Sequence, residues 1–361
     1  MNAEGLKKLA IQLGFDDARV ASLDHFPTQE VFLQQFVDLG RHGSMHWMER
    51  RLKERSHPQN LWSDAKSALV VAANYASDKD VFDDLSDTSK AYLSVYARRR
   101  DYHDQLKKKL KQLATTMANS GCEVKVFVDT APLMEKPLAQ HAGIGWQGKH
   151  TNLVSRHFGS WLFLGVLLTS IDLQPDPPEE DHCGQCRSCM DICPTQAIPS
   201  PYQLDARKCL AYLTIEYKGV IPQEFREPLG NRVFGCDDCL AICPWNKFAQ
   251  QSTGEQAALH GRDLEELVQL SDAEFREMFR QTAIKRTGRD AFVRNVLVAI
   301  GNSGDQAYLK QVCRLLDDPA PVVRAHAVAC LARLSRKHFD EEFIRRLPQE
   351  EDPLVLKEWG K

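Results

Sequence analysis

The chain has 361 residues, 43% of them hydrophobic and 26% charged, with 46 Lys or Arg, 49 Asp or Glu and 11 cysteines. Those proportions exclude a disordered chain, a fibrous repeat and a disulfide-stapled miniprotein. A net charge of −3 excludes a surface that coats nucleic acid throughout, while leaving room for a local basic face.

The longest apolar run, 161–168, is far short of the roughly 20 residues that span a bilayer. The opening MNAEGLKKLA lacks the apolar stretch of a signal peptide. A cytoplasmic protein without a membrane segment is expected. In a reducing compartment eleven cysteines point to metal ligation or redox work rather than disulfides.

In chain order, residues 68–75, 123–129 and 161–169 are short runs of Val, Leu and aromatics bounded by turn residues, which predicts strands. Between them, residues 103–118 place Leu106, Leu110, Leu113 and Met117 on one face of a lysine-rich helix. An α/β domain over 1–175 is expected. The proline- and acid-rich stretch 173–181 (LQPDPPEED) marks its end. A cysteine-dense ferredoxin-like domain (176–250) and an all-α region (251–361) complete the expected organisation. Within that last region Val293-Arg294 and Val323-Arg324 open similar segments thirty residues apart, the pattern of a HEAT-like helical pair.

Cys183-x-x-Cys186-x-x-Cys189-x-x-x-Cys193-Pro194 has the spacing by which bacterial ferredoxins hold [4Fe–4S] clusters. Three of its thiolates wrap one cubane and the fourth serves another. In the second copy, Cys236-x-x-Cys239-x-x-x-Cys243-Pro244, Val233 occupies the first position, and Cys209 is the cysteine left to replace it. The expected sets are therefore Cys183, Cys186, Cys189 and Cys243 for one cluster, and Cys193, Cys209, Cys236 and Cys239 for the other. Paired structural zincs are the alternative, disfavoured because zinc knuckles are usually separated by a longer loop. Cys122, Cys313 and Cys330 lie alone in apolar surroundings and read as small core residues.

Three other motifs tempt. Gly143-Ile144-Gly145-Trp146-Gln147-Gly148 spells GxGxxG, but a helical run precedes it and polar residues follow, so dinucleotide binding is discounted. Asp101-x-His103 begins a D-x-H-x-x-G cobalt-ligating signature, yet Leu106 stands where glycine is required. Arg98-Arg99-Arg100 is a short basic run for which a solvated strand edge or helix start is as good a reading as a functional one. Asp129, closing a predicted strand, suits either catalysis or a helix N-cap.

The segments VDTAPLMEKPLAQHAGIGWQGKHTNL (128–153) and GNRVFGCDDCLAICPWN (230–246), with the split cysteine sets and a helical tail, resemble the epoxyqueuosine reductases. The resemblance implies an oxidoreductase that completes queuosine synthesis, reducing epoxyqueuosine at the wobble position of a tRNA. It implies cobalamin fed by two [4Fe–4S] clusters, an unidentified electron donor and a monomeric enzyme. It also implies that Asp129 donates a proton, its pKa raised by burial beside an apolar corrin. Cobalamin contacts carry over to Arg55, Asp129, Leu153, Ala211, Asp237 and Asp238. Contacts with the anticodon stem-loop carry over to Lys218, Arg232, Lys285, Arg286, Arg289 and Arg294. Residues 285–346 hold twelve Lys or Arg against seven Asp or Glu, which suits phosphate contact. Other readings are a different cobalamin and iron–sulfur reductase, such as a reductive dehalogenase, or an iron–sulfur electron carrier.

Overall fold

The computed structural model describes residues 2–24, 26–252 and 259–360. Contacts sort the chain into two units, each discontinuous in sequence. The first joins Met1–Asp78, Asp101–Arg207 and Asp238–Gly254; the second joins Lys79–Arg100, Lys208–Asp237 and Glu255–Lys361. This division cuts across the consecutive boundaries expected at 175 and 250. A parallel pairing of Tyr92–Leu93 with Arg232–Phe234 is the reason, since it draws an early excursion of the chain into the C-terminal unit.

The first unit is built on four strands: β1 (Asp17–Ser22), β2 (Ser67–Asn74), β3 (Val124–Phe127) and β4 (Leu162–Thr169). Their order is β1-β2-β4-β3, and every pairing is antiparallel, with Val70 opposite both Arg19 and Val166, and Val126 opposite Leu167. The three expected strands are present, and β1 joins them. The strands do not form the parallel sheet typical of α/β folds. The continuous apolar runs of β2 and β4 reflect burial on both faces, a property that parallel strands usually show and that here belongs to an antiparallel sheet.

Alternate residues feed the two layers. Leu69, Val71 and Leu167 pack with Leu6, Leu110 and Leu113 from the helices Ala3–Gln12 and Tyr102–Ala118. Ala68, Val70 and Val166 pack with Leu138 and Ala139 from the helix Glu135–His141. Gly165 permits the close approach of the long helix, because a β-carbon there would sit 2.8 Å from Leu110 Cδ1.

In the second unit the helix Arg289–Ser303 is buried without interruption from Ala291 to Gly301. An apolar helix enclosed on all sides forms a core rather than a surface face. Phe292 meets Phe275 and Phe279 at ring distances of 5.4 and 4.8 Å, and the helix Pro321–Leu334 lies in the same apolar core. Among the described residues no helix is long and apolar enough to cross a membrane.

Candidate functional site

Two residues beyond β3, Asp129 adopts φ = 55°, a left-handed conformation that costs a non-glycine residue about 1–3 kcal/mol. Glu135, opening the next helix, holds it there: its Oε1 accepts the Asp129 backbone N–H at 2.7 Å. The Asp129 side chain is 61% exposed and lies 3.1 Å from His103 Nε2, while its Oδ2 accepts the Tyr102 hydroxyl at 2.8 Å. His103 Nδ1 in turn meets Asp101 Oδ1 at 2.7 Å. Asp101 caps the helix Tyr102–Ala118 by accepting the His103 backbone N–H. The Tyr102 ring stacks on Phe163 at 4.1 Å and on His103 at 4.1 Å, which fixes the imidazole plane. The incomplete cobalt motif is thus an imidazole clamped between two carboxylates.

This geometry corrects the expected electrostatics. The hydrogen bond from His103 holds the Asp129 carboxyl below the usual carboxylate range, with Tyr102 reinforcing it and burial opposing. Burial raises a different acid: Glu135, beneath the loop, is pushed up to about 8. Neutral Glu135 is favoured in the folded chain. Stability from this group is therefore fully present below its ordinary value of 4.5 and is lost as pH rises through about 8. Glu135→Gln keeps the amide's acceptor and removes the ionisation. The variant is expected to lose less stability than the wild type between pH 6 and 8, read from urea midpoints at the two values.

The first cysteine set lines one pocket: Cys183, Cys186, Cys189 and Cys243, walled by Lys149 and Trp245. No three of these sulfurs lie within 4.8 Å of one another. A single zinc with Zn–S bonds of about 2.3 Å needs its sulfurs about 3.8 Å apart, so the set is too wide for one zinc and suits a larger cluster. Burial, followed by the neighbouring thiols, raises Cys189 to about 11, and burial raises Cys183 and Cys243 as well. Cys186 is lowered instead, first by its Ser188 hydrogen bond, and a bound metal would compensate the thiolates of the set. Of the second set, Cys193 and Cys239 belong to the first unit and Cys209 and Cys236 to the second. His42, His46 and Glu49 also lie close together. However, His42 Nδ1 is buried without a partner, whereas a metal-bound imidazole normally donates its other N–H.

Of the expected cofactor residues, Arg55 is the most suggestive. Its guanidinium lies 4.9 Å over the Trp47 ring, and its Nε is buried with no hydrogen-bond partner, a donor that a corrin amide or phosphate would satisfy. Leu153 is 4% exposed and packs in the core with Leu138. Asp237 is 2% exposed; its carboxylate accepts from Tyr92 and Ser94 hydroxyls and the Val95 amide at 2.6–2.7 Å. Both side chains turn inward, which leaves only their backbones for a cofactor. Asp238 is buried at the start of the helix Asp238–Ala241, and Ala211 is half-buried on the helix Leu210–Ile215 of the second unit.

The expected RNA residues also divide. Arg294 is fully buried and donates to the carbonyls of Tyr217, Gly219 and Leu213, each at 2.8 Å. Arg289 is tied to Asp318 at 2.6 Å and to the Leu270 carbonyl. Both hold the second unit together, so neither offers the surface cation the pattern suggested. Arg324, at the repeat position matching Arg294, likewise binds Glu350. Lys218 donates to the carbonyls of Ile215 and Thr287, and Arg232 to that of Leu229. Lys285 and Arg286 are exposed on the 3-10 turn Ala283–Thr287.

Residues 55–130 match the family described as epoxyqueuosine reductase QueG, DUF1730, and residues 182–246 the 4Fe-4S double cluster binding domain. An epoxyqueuosine reductase of Xanthomonas campestris pv. campestris is 41% identical over 340 residues, covering 92% of this chain and 96% of its own. A crystal structure of epoxyqueuosine reductase with an epoxyqueuosine-modified tRNA-Tyr stem loop superposes with a TM-score of 0.92 at 29% identity, covering 99% and 96% of the two chains. A Bacillus subtilis epoxyqueuosine reductase, solved with its catalytic aspartate loop swung out of the active site, gives 0.88 at 28% identity, covering 99% and 97%. On these likenesses the chain belongs to the epoxyqueuosine reductase family.

Proposed function

We propose that this chain reduces epoxyqueuosine to queuosine in a tRNA anticodon, with Asp129 delivering a proton to the departing oxygen. The observation that carries the reading is the presence, within one unit, of a pocket lined by four cysteines and an exposed carboxylate on a clamped imidazole. Opening the epoxide to an alkene and water consumes two electrons and two protons. Cobalamin, when bound, supplies a strongly reducing cobalt that iron–sulfur clusters recharge one electron at a time. Arg55, with its unpartnered Nε, is proposed to hold it.

The chain's own residues deliver the first of the two protons, and solvent water supplies the second. A carboxyl held below its usual range is ionised near neutral pH, so Asp129 needs a proton supply. His103 provides it. In its doubly protonated form it donates from Nδ1 to Asp101 and from Nε2 to Asp129, and the proton passes through Asp129 as negative charge develops on oxygen. Glu135 keeps the Asp129 loop in its strained conformation. The two cluster ligand sets expected from the cysteine spacing are retained, with Cys193, Cys209, Cys236 and Cys239 holding the second.

The test is anaerobic incubation of iron-loaded protein with cobalamin, a low-potential reductant and epoxyqueuosine-containing tRNA, followed by nucleoside mass analysis. Queuosine that appears only with all components supports the reading; none in any combination overturns it.

For the RNA, the exposed pair Lys285 and Arg286 is proposed to meet phosphates. The double variant Lys285→Ala, Arg286→Ala is expected to weaken modified and unmodified stem-loops alike. The slope of log K against log salt should flatten by about 0.7–0.9 for each phosphate no longer neutralised, roughly 1.4–1.8 in all. Unchanged affinity and slope place the RNA elsewhere.

A further inference from the structure

The GIGWQGK segment, which fails as a nucleotide loop, lies against the cysteine pocket. Trp146–Gln147 pairs antiparallel with Leu153–Val154, and the turn between them is closed by Gly148 N–H to Asn152 O and Thr151 N–H to Gly148 O, both at 2.8 Å. The glycines answer to close backbone approach: a β-carbon on Gly143 would strike the Pro177 carbonyl, and one on Gly145 the Val154 carbonyl. This rigid hairpin presents two donors to the ligand loop. Trp146, wholly buried, donates its indole N–H to Cys183 Sγ at 3.4 Å. Lys149, 8% exposed, donates its ammonium to the carbonyls of Gly184 at 2.5 Å and Cys186 at 2.9 Å. Trp245, next but one after Cys243, packs edge-on to Trp146 at 4.9 Å and walls the pocket.

We propose that this hairpin sets the reduction potential of the cluster held by Cys183, Cys186, Cys189 and Cys243, with Trp146 and Lys149 as its positioning and tuning residues. The inference rests on those four cysteines being cluster ligands. Reduction adds one electron, taken from a low-potential one-electron donor, and its charge spreads over the cluster sulfurs. An N–H dipole aimed at one of those sulfurs and a fixed ammonium on the ligand loop both favour the more negative state, strongly so where water is excluded. Both therefore raise the potential.

The experiment is a dye-mediated redox titration of anaerobically reconstituted full-length protein, followed by electron paramagnetic resonance, without tRNA or corrin. Trp146→Phe keeps an aromatic ring and removes the donor. Iron and acid-labile sulfide are expected at wild-type levels. One of two midpoints should fall by about a tenfold change in its equilibrium constant, ~59 mV for one electron, while the other stays in place. Unchanged midpoints with iron retained overturn the proposal. If Trp146→Phe sheds the cluster, Lys149→Met decides by the same criterion, and loss of the cluster in both makes the hairpin a structural support, which also overturns it. A wild type without iron–sulfur signals instead defeats the ligand assignment. A wild type that shows both midpoints but yields no queuosine in the separate tRNA assay would count against the proposed reaction alone.

Discussion

Asp129→Asn is expected to lower turnover by about a hundred- to ten-thousand-fold, the range that a positioned acid or base contributes. The amide preserves the side chain's shape and still accepts from the Tyr102 hydroxyl, now 2.8 Å from Oδ2, but it cannot carry a proton from His103 to substrate. Iron content and affinity for the stem-loop should remain at wild-type values. The assay is single-turnover conversion under anaerobic conditions with enzyme in excess, so that binding does not limit the rate. Near wild-type turnover would remove Asp129 from the chemistry. Loss of cofactor binding, read from the corrin absorbance retained on the protein, would make its role structural.

Arg294→Ala is expected to destabilise the second unit by about 3–5 kcal/mol, because several buried acceptors lose their donor at about 1–3 kcal/mol each. Three backbone carbonyls and Asn295 Oδ1 lose their donor together, and the Leu213 carbonyl and Asn295 Oδ1 are buried. Burial already lowers the guanidinium to about 10, so its retention depends on those acceptors. The measurement is urea unfolding followed by tryptophan fluorescence and far-ultraviolet circular dichroism. A shift under about 1 kcal/mol, within the spread of ordinary surface changes, would show that the carbonyls find other partners. Lys285→Ala with Arg286→Ala, both exposed, should shift the same midpoint far less, separating the buried cations that hold the unit from the exposed pair proposed to meet RNA.

Much of this was visible in the residues. The runs 68–75, 123–129 and 161–169 were readable as strands because unbroken apolar sequence of that length has few other uses. Pairing direction was hidden, since burial on both faces erases the alternation that marks an ordinary antiparallel strand. DARVAS (17–22) gave no strand signal: its Asp17 and Arg19 sit at the sheet margin and pair with each other. The cysteine spacing carried its chemistry openly because ligand geometry constrains sequence directly. By contrast, the sign of the Asp129 shift depended on His103, twenty-six positions earlier, and on Glu135 taking the buried place beneath the loop. Arginine counting misled for a similar reason. A cation's charge is fixed by its identity, whereas its exposure depends on which carbonyls the fold brings to it, and Arg294 met three.

The parallel pairing of Tyr92–Leu93 with Arg232–Phe234 has a consequence for biosynthesis. From Leu93 to Phe234 the ribosome must add 141 residues, which takes ~7–28 s at about 5–20 residues per second. Throughout that interval the short strand has been made and its partner has not. Ala91 and Leu93, 4% and 1% exposed in the finished core, are then bare on the nascent chain. The second unit thus closes late in translation, after all the cysteines of the 183–209 stretch have appeared.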